Sequence, residues 1–234
     1  MSGAVLILRP EPGASATAAR ARSLGLVPYV FPLFTIRPLE WQAPDPAGFD
    51  AVLLTSANAA RHAGAGLAPF LGLPCYAVGE ATAQAARAAG FADVRTGAAD
   101  AEAVNALMVA DRVGGVFHPS GCHFRALPRP GPAILQIPVY AADAVGALPA
   151  AAEAAMAAGA IVLVHSPRAG SLLAGLARDR SNVRIAAISA AAAEAAGAGW
   201  RAKAVAAAPR DEALLELAAT LCQTEGQDGS GAGE

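Results

Sequence analysis

Phe49–Ala60 reads FDAVLLTSANAA, and this stretch decides the fold. Ala51–Leu54 is a short, unbroken apolar run, the mark of a strand covered on both faces. Thr55-Ser56 ends the run and an alanine-rich, helix-compatible segment follows. Ser56 is placed to cap that helix, which leaves free backbone N–H groups at a strand end. The design returns 110 residues later in Ala160–Gly170, AIVLVHSPRAG, with Ser166 in the place of Ser56. Pro167 then occupies the first helical position, where its missing N–H costs nothing. Two strand–Ser–helix turns predict two related α/β lobes.

Working outward, Val5–Leu8 is a first strand ending in Arg9-Pro10, and Ala14–Leu24 has helical spacing with Ser15 as a cap. Val27–Ile36, VPYVFPLFTI, is β-prone but carries Pro28 and Pro32, which suits an edge strand or an extended connector. After the central motif, strands are expected at Cys75–Val78, Asp93–Thr96, Gly115–Phe117 and Ala133–Tyr140. Helices are expected through Ala89 and over Asp100–Ala110, and Arg125–Pro132 reads as irregular. In the last third, helix Leu148–Ala158 precedes the second Ser motif. Strand Val183–Ile188 leads through Ser189 to an alanine-rich helix, strand Lys203–Ala207 follows, and Asp211 caps a final helix, Glu212–Leu221. Gln223–Glu234 lacks apolar residues and is expected to be disordered. Strands alternating with helices give α/β lobes with parallel sheets, whose ligands bind at the carboxyl ends of the strands. Those ends carry Arg9, Thr55-Ser56, Gly79–Thr82, His118–Gly121, His165-Ser166 and Ser189.

Composition narrows the chemistry. The 234 residues carry a net charge of −2, which argues against a nucleic-acid binder with a broad basic face. A cleft for a small anion needs only a few cations and helix N-termini. No run reaches the ~18 apolar residues of a membrane span, and no basic segment precedes Val5, so a cytoplasmic protein without signal peptide is expected. Three scattered cysteines form no CxxC pair, and His62, His118, His123 and His165 show no metal-ligand spacing. Neither GxGxxG nor a P-loop is present, so no nucleotide cofactor is supported. Ser56 and Ser166 lack the GxSxG elbow of a nucleophile and are read as helix caps. Arg9, Arg61, Arg125 and Arg168 lie at or near strand ends, where a guanidinium suits a carboxylate, although each alone also fits a solvated surface charge. Tyr140 reads as a half-buried aromatic at the end of a β-prone run.

A series of motifs in fixed order goes further. LILRP at Leu6–Pro10, FPLFTI at Phe31–Ile36, the TSANAA stretch and YAVGEATAQAARAAGF at Tyr76–Phe91 are followed by PVYAA at Pro138–Ala142. IVLVHSPRA at Ile161–Ala169, IAAISAAAAEAAGAGW at Ile185–Trp200 and VAAAP at Val205–Pro209 complete the series. The chain resembles uroporphyrinogen-III synthase over nearly its whole length. The resemblance implies a discontinuous first lobe, residues 1–33 and 142–224, a second lobe, 39–136, a two-stranded linker of 34–38 and 137–141 outside both sheets, and a tail, 225–234. It implies a lyase that closes the linear tetrapyrrole hydroxymethylbilane with loss of water and inversion of the last ring, in a cleft between the lobes, without metal or cofactor. It also implies a cytoplasmic monomer in transient contact with hydroxymethylbilane synthase. Tyr140 matches the family tyrosine that assists departure of the hydroxyl. Thr55, Ser56, Asn58, Gly79, Thr82 and Ser166 match positions lining the cleft, and Arg9, Arg168 and Ser189 are added as substrate contacts. Ser189–Ala193 reads SAAAA where the family has GxxTA, so one threonine contact is absent, at Ala192. The rival readings are a non-catalytic two-lobed anion binder and a regulatory relative of the synthase.

Overall fold

The computed structural model describes residues 3–97, 101–123 and 130–228. It divides into two compact units, Met1–Thr35 with Ala144–Glu234, and Ile36–Asp143. The chain thus passes from one unit to the other once near Thr35 and returns near Asp143.

In the first unit, β1 (Ala4–Ile7) leads through α1 (Gly13–Ser23) to β2 (Val27–Val30). After the second unit come α5 (Ala150–Ala157), β9 (Ile161–Val164), α6 (Pro167–Leu176), β10 (Arg184–Ala187), α7 (Ala190–Ala195), β11 (Ala202–Val205) and α8 (Asp211–Asp228). The sheet order is β11-β10-β9-β1-β2, and the pairings are parallel. β1 from Val5 onward, β9 and β10 are buried, as apolar strands between two helical layers must be, with Arg184 at the start of β10 the one charged residue among them. On one face Val5, Ile7, Ile161 and Leu163 pack on Ala14, Ala18 and Ala21 of α1 and on Leu214, Leu215 and Ala218 of α8. Pro28 costs no ladder bond across the sheet because β2 is its edge.

β3 (Phe34–Pro38) begins in the first unit and passes into the second, where it is followed by β4 (Ala51–Leu54), α2 (Ala57–His62), β5 (Cys75–Val78), α3 (Glu80–Ala88), β6 (Val94–Gly97), α4 (Ala101–Ala110), β7 (Gly115–Gly121) and β8 (Ala133–Ala144), whose last residue returns to the first unit. The order is β3-β8-β7-β4-β5-β6. One face carries α2 and α3 over Val52, Leu54 and Phe117, and the other carries Val104 and Met108 of α4 over Ala51, Leu53, Tyr76 and Val116. Phe70 stacks on Phe117 with ring centroids 4.3 Å apart and anchors the first face.

Several expectations change. Neither 34–38 nor 137–141 is a connector outside both sheets: β3 is the edge strand of the second sheet beside β8, and β8 pairs with β7 in parallel from Ala133 to Tyr140. Pro119 and Pro138 fit because the β4 ladder on β7 ends at Phe117, and because β7 and β8 slip register between Ser120 and Gly121. VPYVFPLFTI is two strands, β2 and β3, parted at Phe31-Pro32-Leu33. Ser15 is not a cap: α1 begins after Pro12, and Ser15 lies inside it with its backbone N–H and hydroxyl donated to Glu11. Helix α8 runs to Asp228, past the expected start of a disordered tail; residues 229–234 and Arg125 lie outside the described residues.

Ser56 and Ser166 do cap their helices. Ser56 Oγ accepts the Asn58 N–H at 3.2 Å and Ser166 Oγ that of Ala169 at 3.1 Å. Replacing Ser56 by alanine should lower the unfolding free energy by about 1 kcal/mol in urea denaturation. An unchanged midpoint and slope would show that this hydroxyl does not hold the start of α2.

Candidate functional site

Chain direction picks out one place in each sheet. From β1 the chain moves through α1 to β2 on one side, whereas from β9 it moves through α6 to β10 on the other. The helices therefore leave the carboxyl ends of the neighbouring strands β1 and β9 in opposite directions, which opens a crevice there. In the second unit the chain leaves β4 through α2 towards β5 and β6. It returns through α4 to β7 on the other side of β4, so the crevice lies between the carboxyl ends of β4 and β7.

The first crevice is flanked by Arg9, two residues beyond β1, and by His165 and Ser166, directly beyond β9. Asp211, at the start of α8, ties them together. Its carboxylate accepts from Thr17 Oγ1 at 2.9 Å, Arg20 Nη1 at 2.8 Å, His165 Nε2 at 2.9 Å and Arg9 Nη1 at 3.4 Å. Burial alone would raise its pKa, but the hydrogen bond and charge of His165, the Thr17 hydroxyl and Arg9 outweigh burial and leave it at about 2. His165 is lowered from its ordinary value, chiefly by burial and against the pull of Asp211. Arg9 Nη1 also donates to Thr17 at 3.3 Å.

The second crevice is built from Thr55 and Ser56 after β4 and from His118 and Ser120 within β7. Thr55 Oγ1 and His118 Nε2 are hydrogen-bonded at 3.1 Å. Burial lowers the His118 pKa to about 4, so the ring is neutral at physiological pH. Gln136 Nε2 of β8 donates to Ser120 Oγ at 2.8 Å. Tyr140 lies opposite Gly121 in the β7–β8 ladder, and the Cys122 N–H is donated to its carbonyl at 3.1 Å. A Cβ on Gly121 would lie 2.7 Å from Tyr140 Cζ and 2.9 Å from its Oη, so the phenol occupies the space a side chain would take. The His62 ring faces the Tyr140 ring at 6.3 Å between centroids.

The remaining sequence-derived residues lie beyond the carboxyl ends of β4, β5, β9 and β10. Asn58 is in the first turn of α2. Gly79 precedes α3 with φ +75°, a conformation glycine adopts without strain. Thr82 is buried on α3, as Ala192 is on α7. Arg168, in the first turn of α6, lays its guanidinium over the Phe34 ring at 4.4 Å. Ser189 caps α7 through the Ala192 N–H at 3.3 Å.

These edges offer hydroxyls, capped helix starts and arginines, a donor set suited to carboxylates. The family of uroporphyrinogen-III synthase HemD matches residues 15–216. The chain belongs to that family. Among solved structures, the uroporphyrinogen-III synthetase of Helicobacter pylori is 20% identical, over 82% of this chain and 92% of that one, with a TM-score of 0.61. A mutant uroporphyrinogen III synthase of Thermus thermophilus is 18% identical, over 94% of this chain and all of that one, with a TM-score of 0.55. These two share the fold of the uroporphyrinogen-III synthase family with this chain. No curated protein matches the sequence.

Asp211 opens α8 instead of capping it, and its carboxylate is taken by side chains of three other segments. Thr17 and Arg20 were missed altogether. His118 and His165 were recognised at strand ends, but weighed only as metal ligands. Among the described residues no group of three or more His, Cys, Asp or Glu side chains could hold a metal ion.

Proposed function

We infer that this chain acts as a uroporphyrinogen-III synthase, a lyase that closes hydroxymethylbilane with loss of water and inversion of ring D. The observation that carries this reading is the family match over residues 15–216 of a chain whose two crevices carry carboxylate donors. The substrate has eight carboxylates and no fixed conformation. Thr55, Ser56, Asn58, Gly79 and Thr82 of the second unit, and Arg9, Ser166, Arg168 and Ser189 of the first, are proposed to hold it. Positioning of this kind can supply much of a rate enhancement without covalent chemistry.

Tyr140 is proposed as the proton donor. Its phenolic O–H can donate to the departing hydroxyl, which leaves as water. The resulting cation is attacked by the substituted carbon of ring D. The spiro intermediate so formed fragments and recloses with ring D inverted, and loss of a carbon-bound proton restores aromaticity. The reading takes the protein as a cytoplasmic monomer that receives its unstable substrate from hydroxymethylbilane synthase in transient contact, and it assigns no cofactor.

The purified protein should consume hydroxymethylbilane faster than buffer does, with no added metal. Consumption at the spontaneous rate would overturn the catalytic reading and leave an anion-binding protein.

A further inference from the structure

We propose that Asp211, with Thr17 and Gly13, positions the Arg9 guanidinium at the crevice of the first unit to receive a carboxylate of the substrate. The inference rests on the synthase reading and adds to it residues that none of the ordered motifs contains.

Three features of the geometry support it. First, the Asp211 carboxylate is 9% exposed, yet four side chains from three separate segments converge on it. A buried carboxylate so fully supplied with donors is a fixed point in the fold. Second, its shortest ion pair, 2.8 Å, is with Arg20, whereas Arg9 lies at 3.4 Å and shares its Nη1 with Thr17. Asp211 therefore holds both guanidinium groups, with Arg20 as its nearer partner and Arg9 further out, towards the crevice. Arg20 is also paired with exposed Glu212 at 3.3 Å, outside the buried cluster. Third, the guanidinium of Arg9 lies across Gly13. A Cβ there would be 2.6 Å from Arg9 Nε and 2.8 Å from Cζ. Glycine is otherwise a poor choice for the first residue of α1, so its place under Arg9 gives it a purpose. The Arg9 side chain remains 32% exposed, at the carboxyl end where ligands of parallel sheets bind.

The role is positioning, since Asp211 acts through Arg9. A site that holds an arginine in advance loses substrate binding, more than turnover, when the support is removed. In the full-length protein, Asp211→Asn should raise KM for hydroxymethylbilane about tenfold and change kcat less than threefold. Gly13→Ala favours the helix while forcing Arg9 aside, so it should stay folded and raise KM similarly. In an Arg9→Ala background neither substitution should raise KM further, which a general loss of structure would not reproduce. A wild-type KM in Gly13→Ala would overturn the proposal, as would a tenfold rise on adding Asp211→Asn to Arg9→Ala. If Asp211→Asn does not fold, the Gly13→Ala and Arg9→Ala pair decides. Wild-type protein without catalysis would instead defeat the synthase reading itself.

Discussion

Tyr140→Phe should slow turnover by about 10²-fold, the usual span for removal of a general acid. The phenylalanine ring keeps the place opposite Gly121 and beside His62, so folding stability should change little. KM should change far less than kcat, because the donated proton matters in the transition state and not in the bound substrate. The remaining product should still carry the inverted ring, since the residues proposed to hold the chain are intact. The geometry adds a second route to the same end. A methyl group at Gly121 would collide with the phenol at 2.7 Å, so Gly121→Ala should displace the hydroxyl and reproduce much of the loss without altering Tyr140. Unchanged turnover in folded Tyr140→Phe would reduce this residue to a packed aromatic.

Stability should fall on acidification, with His118 as a main cause. The unfolded imidazole takes a proton near pH 6.5, but burial in the second unit delays this until about pH 4. The folded state is therefore the poorer proton binder. The contribution of His118 is complete above pH 6.5 and is lost as pH falls towards 4. The loss between pH 7 and 4.5 comes to about 2–3 kcal/mol for this residue. Burial of His165 acts in the same direction. Asp211, at about 2, stays ionised throughout this interval and does not contribute to the slope. Urea denaturation across pH 4.5–7 should show the decline, and His118→Gln should flatten it by that amount. An equal slope in the variant would mean that His118 is protonated in the folded protein, and its contact with Thr55 would need another account.

The fold was legible where the signal was local. Ala51–Leu54 and Ile161–Val164 could only be covered strands, and Ser56 and Ser166 cap the helices that follow. The repeated strand–Ser–helix turn was enough to place Thr55 and His165 at strand ends. The part of β8 beyond Gln136 was misread because its proline suggested a strand without a full set of partners. What admits Pro138 is the register slip of β8 against β7 between Ser120 and Gly121, which no local window shows. The Asp211 cluster was illegible for a related reason. Its partners are 194 residues away at Thr17 and 46 residues away at His165, and nothing in the spacing of Asp211 distinguishes it from a helix cap. Gly13 gave no signal either, because its need for a bare Cα comes from a neighbouring guanidinium and not from a turn.

The most direct test of the account is the isomer formed from hydroxymethylbilane. Left in buffer, this substrate closes to the type I isomer, with ring D in its original sense, so every reaction contains its own control. Purified protein without added metal should divert the product mainly to uroporphyrinogen III, in a proportion that rises with protein concentration. Type I alone at high protein concentration would contradict the claim that this chain inverts ring D.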